Sequence, residues 1–213
     1  MVRDRWSVVL ERTVRELQGE PCINLDDAPS PKKQIACTRS FGNPVSEITP
    51  LIEAVSEFTS RAAAKLRRQS SVAGQILVFA HTSPFRPGPR FSKSVVIPLR
   101  RPTSDTTRLV KAAVMGVNQI YQPGFKLSKA GIMLLDVIPD SVSQYEFDFD
   151  APETRDREKL MAAMDAINDR FGRGAIHVGT AVGGGAQRDW SMRQDRLTPQ
   201  YTTKFSDLPV ARA

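Results

Sequence analysis

The stretch Gln34–Gly42, QIACTRSFG, entered through Pro31-Lys32-Lys33, decides how the chain is read. Ile35, Cys37 and Phe41 fall at two-residue spacing, the signature of one face of a β-strand. Ala36, Thr38 and Ser40 form a second face that is small and polar. Arg39 sits inside the stretch and basic residues precede it. A face of hydroxyls and cations needs no protein cover, and it suits a phosphate backbone.

Downstream of this strand the periodicity changes. Thr49-Pro50 predicts the start of a helix, with a hydroxyl at the N-cap and proline at the first helical position. Leu51, Val55, Phe58, Ala62 and Leu66 then recur at helical steps and predict a buried stripe. Arg61, Lys65, Arg67 and Arg68 towards its far end read as complements to the helix dipole and as a solvated face. Gln75–Thr82 (QILVFAHT) is a strongly apolar strand, Ser83–Arg90 (SPFRPGPR) a proline-rich basic loop, and Phe91–Leu99 (FSKSVVIPL) the returning strand of a hairpin. Thr103-Ser104-Asp105 caps a second helix with its stripe on Leu109/Val110, Ala113, Val117 and Ile120/Tyr121. Lys129–Ile138 is the last strand.

The order β-α-β-β-α-β over about a hundred residues suits one compact domain. It predicts an α+β fold, an antiparallel four-stranded sheet with both helices on one face and the other face open. That open face is expected to present Lys33, Thr38, Ser40, Arg90, Lys93 and Lys129.

The flanks are less regular. Residues 2–18 predict one helix striped by Trp6, Val9/Leu10, Thr13/Val14 and Leu17, stopped at Gly19. Asp26–Pro31 is a linker. Pro139–Glu153 is an acidic linker with three aromatics. Asp156–Phe171 predicts a third helix on Leu160, Met164, Ile167 and Phe171, and Ala175–Val182 a strand. The remaining tail is expected to dock on something, being too irregular to build a core.

Composition sets bounds on function. Thirty Lys and Arg against 23 Asp and Glu give a net charge of +7, which permits nucleic-acid binding without requiring it. Cys22 and Cys37 are too few for a disulfide framework, and no His or Cys lies at metal-ligand spacing from them. No apolar leader or membrane-length run is present, so a cytoplasmic setting is expected. His81 and His177 have no acid or nucleophile spaced for a catalytic triad. Gly183–Gly185 lacks the Lys-Ser/Thr of a phosphate loop. The sequence points to no catalytic residue, metal or cofactor.

Several motifs, in order, resemble the C-terminal part of UmuC-type Y-family translesion DNA polymerases: SVVLERTVRELQGEPCINL at 7–25, IACTRSFG at 35–42, HTSPF at 81–85, KAGIML at 129–134 and WSMRQDRLTPQYTTKFSDLP at 190–209. The resemblance implies a thumb end and linker at 1–31, a DNA-gripping little finger at 32–138, a linker at 139–153 and a C-terminal domain of unassigned role at 154–213. By position, Lys33, Arg39, Ser40, Arg90, Lys93 and Lys129 become the expected contacts to primer-template DNA. Gln144, Tyr145, Phe147 and Phe149 resemble a sliding-clamp peptide, a glutamine followed by spaced large apolar side chains, although tyrosine stands where leucine is usual. Processed UmuD and the RecA filament are the further partners that the resemblance implies, within SOS mutagenesis. The family's palm domain, with its magnesium-binding carboxylates, has no counterpart in this sequence, so no polymerisation is expected of the chain alone. The alternative is a free-standing nucleic-acid-binding regulator acting in trans on an intact polymerase. An RNA-recognition module would need aromatics on central strands, and Val95, Val96 and Ile97 offer none. A small-molecule enzyme would need a pocket of convergent polar groups, and the sequence shows none.

Overall fold

Alternating and helical periodicities in residues 35–139 resolve into four strands and two helices. The computed structural model describes residues 2–22, 30–142, 154–172, 174–179, 190–192 and 198–208. The strands are β1 (Ile35–Val45), β2 (Ser71–Thr82), β3 (Ser92–Thr103) and β4 (Leu127–Pro139). They form one sheet in the order β1-β4-β2-β3, with every neighbouring pair antiparallel. The last strand in sequence is therefore inserted between the first two.

Two helices, α3 (Ile48–Arg68) and α4 (Thr106–Ile120), pack against each other and on one face of the sheet. Leu51, Val55, Phe58, Ala62 and Leu66 of α3 are fully buried, as the stripe predicts. They meet Ile76, Val78 and Ala80 of β2 and Ala130, Ile132 and Leu134 of β4 in one core. At about 25 cal/mol per Å² of apolar area removed from water, this core is the main stabilising term. Asp105 caps α4, its carboxylate accepting from the Thr107 N–H at 2.8 Å. The start of α3 lies earlier than expected. Glu47 occupies the N-cap, so Thr49 and Pro50 fall inside the first turn, where a missing N–H costs nothing.

Two glycines permit close approach. At Gly116 an added Cβ would come within 2.8 Å of Val78 Cγ2, so α4 sits directly on β2. At Gly131 it would meet Thr38 Cγ2 at 2.5 Å and Thr38 Cα at 2.9 Å. Thr38 of β1 thus leans over the β4 backbone, which only glycine allows.

A third long helix, α5 (Thr154–Phe171), docks by polar contacts more than by the apolar stripe predicted for it. Of the predicted stripe Leu160 and Phe171 are exposed and Met164 and Ile167 half-buried, while Met161, outside it, is buried. Arg67 of α3 makes a two-pronged pair with Asp165 of α5, at 2.7 and 2.6 Å. Its remaining nitrogen donates to the Ser104 carbonyl and the Thr106 hydroxyl. Arg68 pairs with Asp169 at 2.6 Å, and Arg157 reaches the Asp105 carboxylate at 3.3 Å. Arg67, and with it Arg68, is therefore held by protein carboxylates, while Lys65 and Arg68 keep the exposure expected of a solvated face.

Beyond α5, Gly172 adopts φ 96° and ends the helix. The Asn168 side chain then holds the following turn, accepting from Gly174 and Ile176 N–H and donating to the Ile176 carbonyl. Residues 175–179 consequently form a bend and not the expected strand. Trp190 is buried edge-on to Phe58, with ring centroids 5.7 Å apart, and the Gly42 N–H donates to the Ser191 carbonyl. This part of the tail does dock.

Residues 1–31 form a separate unit. The single helix expected there is two, α1 (Val2–Arg5) and α2 (Val8–Leu17). Ser7 breaks it by capping α2, its hydroxyl accepting from the Leu10 N–H at 3.2 Å. Gly19, with φ 89°, ends α2 as predicted. Among the described residues no helix is long and apolar enough to cross a membrane.

Two outcomes follow from this packing. Arg67→Ala removes a mostly buried partner and should destabilise by about 2 kcal/mol, below the 3–5 kcal/mol typical of a fully buried pair. It should also speed amide exchange in α5 more than in β2, measured by native-state hydrogen exchange. Gly131→Ala should cost about 1–3 kcal/mol in chemical denaturation because β1 must shift to admit the methyl group.

Candidate nucleic-acid interface

The register of the sheet fixes which side chains share its open face. Ser40 lies opposite Lys129, Lys129 opposite His81 and His81 opposite Ser92, so these four form one row across all four strands. The next row is Thr38, Gly131, Phe79 and Ser94, and the one after it Ala36, Met133, Leu77 and Val96. Strand spacing near 4.8 Å makes each row about 15 Å wide. The face grades from hydroxyl and cationic at one end to apolar at the other. Among the described residues of this unit, both helices that pack on the sheet lie on its opposite side.

The polar end adjoins the β2–β3 loop. The loop base is closed by the Thr82 N–H donating to the Phe91 carbonyl at 2.9 Å and the Phe91 N–H donating to Thr82 Oγ1 at 3.0 Å. Arg86 and Arg90 are exposed on this loop, and Phe85 is 94% exposed.

Ser40, Lys129 and Arg90 are thus brought to one end of the open face. The other three residues expected with them are not. Arg39 shares the alternation of Ile35 and Cys37 and so turns to the helix side, where its guanidinium lies 3.5 Å from Met192 S. There it lines a cavity of about 440 Å³ with Arg61, Lys65 and His177. Lys93 lies opposite the buried Ala80, on the helix side of the edge strand, with its ammonium 5.9 Å from the Phe91 ring centroid. Lys33 precedes β1 at the far end of the sheet, before Ile35 meets Leu134. Alternation places both Arg39 and Lys93 on the helix side; reading Lys93 onto the open face counted its charge and ignored its register.

Cys37 also faces α3. Burial raises its thiol above the usual value, against the pull of Lys65, Arg61 and Arg39. A thiol held protonated in this way is a small core hydrophobe. Among the described residues no cluster of three His, Cys, Asp or Glu side chains could hold a metal ion. Gln144, Tyr145, Phe147 and Phe149 lie outside the described residues.

Phe79 and His81 were missed by the sequence reading. Their rings stack at 13° with centroids 6.2 Å apart, on the open face of a central strand. Val95–Ile97, which carry no aromatic, lie on β3 at the edge of the sheet, and the central strand β2 carries the rings.

An antiparallel sheet backed by two helices, with its other face graded from cationic to apolar, defines the class to which this site belongs. The chain belongs to the impB/mucB/samB family: the model of that family's C-terminal domain matches residues 32–147. A second match, to a domain of unknown function (DUF4113), covers residues 158–211. Protein SamB of Salmonella typhimurium is 42% identical over 213 residues, and Protein UmuC of Salmonella typhimurium 38% identical over 210. These alignments cover 99% and 98% of this chain and 49% of each relative, so the chain spans about half the length of the curated relatives it matches. The insertion ternary complex of Dbh DNA polymerase aligns with TM-score 0.43 and 10% identity, over 63% of this chain and 36% of that one.

The pairing of Ser40 with Lys129 gives this site a direct check. Lys129 should crosslink to a carboxylate introduced by Ser40→Asp with a zero-length carbodiimide, since the two positions are cross-strand neighbours. Asp introduced at Arg39 should not crosslink to Lys129, as read by mass spectrometry.

Proposed function

We propose that the chain serves a translesion DNA polymerase of the UmuC type as its DNA-gripping portion. The carrying observation is the row Ser40, Lys129, His81 and Ser92 beside the arginine-bearing β2–β3 loop. Small hydroxyls let a phosphate backbone approach closely, and Lys129 and Arg90 supply the charge. Contacts of this kind hold a duplex without reading its sequence, which suits an enzyme working past damaged bases. Membership of the impB/mucB/samB family supports the reading.

The residues proposed for DNA contact are Ser40, Arg90 and Lys129, joined by Thr38, Ser92 and Arg86. Lys33 remains a candidate at the far end of the sheet. Sliding-clamp recruitment is proposed for Gln144, Tyr145, Phe147 and Phe149 on sequence grounds: an extended segment would set Phe147 and Phe149 into an apolar groove while the Gln144 amide fills a polar niche. Processed UmuD and the RecA filament are proposed partners in SOS mutagenesis, with no residue assigned to either.

Binding to primer-template DNA should fall steeply with salt and vary little with sequence. Lys129→Ala and Arg90→Ala should each weaken it across all sequences, and each should flatten the slope of log K against log salt by about 1. Lys93→Ala should leave the slope alone. Fluorescence anisotropy over a salt series measures this, and salt-independent affinity would refute the grip. For the clamp segment, the double variant Gln144→Ala/Phe147→Ala should abolish capture by immobilised sliding clamp; capture at the level of the parent chain would remove the motif from the account.

A further inference from the structure

The reading of the open face as a nucleic-acid interface accounts for its hydroxyls and cations but leaves its aromatic side chains unused. Phe79 sits in the middle of that face, on a central strand. Its direct neighbours across the sheet are Ser94, a small side chain, and Gly131, over which the Thr38 side chain leans. His81 stacks on it one row nearer the polar end. Continuing along β2 in the same direction, the chain enters the loop whose Phe85 is 94% exposed between Pro84 and Arg86. Three aromatic rings therefore follow β2 outwards, with Lys129 beside them and Arg86 and Arg90 at the end.

Phosphate contacts have no use for such rings. Duplex DNA presents charged backbone and base edges, and its base faces are covered by stacking. Unpaired bases do expose their π-faces, and an aromatic platform flanked by cations is how sequence-tolerant proteins hold single strands. We propose that this face also takes an unpaired stretch of nucleic acid, its bases stacking on Phe79, His81 and Phe85 and its phosphates lying against Lys129, Arg86 and Arg90. The ligand is the single-stranded side of a duplex junction. The inference rests on the proposed DNA grip and sharpens it, because paired and unpaired DNA share the cations of this face while the aromatic side chains serve the unpaired strand alone.

The test uses the whole chain, a short labelled oligothymidine and a blunt duplex of mixed sequence. Phe79→Leu and Phe85→Ala should each weaken binding of the single strand about fivefold or more, the low end of what one stacked base contributes. Neither should change blunt-duplex affinity by more than about twofold. Phe85 is almost wholly exposed, so its removal disturbs no packing; thermal unfolding checks that Phe79→Leu stays folded. Phe85→Trp should restore affinity, and its emission should be quenched when oligothymidine is added. Either variant binding the single strand as the parent does would overturn the proposal, as would equal losses on single strand and duplex. Self-association that Phe79→Leu abolishes, with oligothymidine affinity unchanged, would assign the face to a second copy of the chain and also overturn it. Failure of the grip itself is read separately, from Lys129→Ala and Arg90→Ala on the duplex.

Discussion

The structure depends on β4 pairing with two strands at once. It runs antiparallel to β1 on one side and to β2 on the other, so the register of one pair constrains the other. A slip by one residue would turn Lys129 and Met133 into the core and push Ala130 and Ile132 out of it. The core thus enforces the row of Ser40, Lys129, His81 and Ser92 as a by-product of its own packing. Gly131 belongs to the same constraint, since a Cβ there would collide with Thr38 of β1.

That arrangement separates charge into two kinds. Arg61 pairs with Glu57 along α3, and Arg67 and Arg68 pair with aspartates of α5. These arginines hold the protein together, so they say little about partners even though they contribute to the net charge of +7. Lys129 sits among hydroxyls on the side away from the helices, and Arg90 is exposed on the loop that adjoins that end of the sheet. A basic composition becomes informative about binding once the cations held by internal carboxylates are set aside.

The element order and the buried stripe of α3 were legible because helical periodicity is strong over twenty residues. Leu51, Val55, Phe58, Ala62 and Leu66 are all fully buried. The strand order was not legible, because alternation tells which face a residue lies on and not which strand lies beside it. QILVFAHT is apolar nearly throughout, so nothing in it marks Phe79 as facing outwards. Arg39 and Lys93 show the converse. Their alternation was readable, and it placed them with Cys37 and Val95, on the helix side. The docking of α5 was hidden because its contacts are aspartates paired with arginines about a hundred residues away in sequence, which no local pattern reveals. The break at Ser7 came from a capping hydroxyl that competes with helix continuation, a signal present in the sequence and outweighed there by the apolar stripe.

The account's central claim is that the face away from the helices, and not the helical side, meets nucleic acid. Backbone amide shifts of isotope-labelled protein, followed during titration with primer-template DNA, test it most directly. The claim predicts that the largest changes fall on residues 38–40, 79–94 and 129–131, with the exposed residues of α3 and α4 unmoved. Changes concentrated on α3, α4 or the cavity beside Arg39 would contradict it.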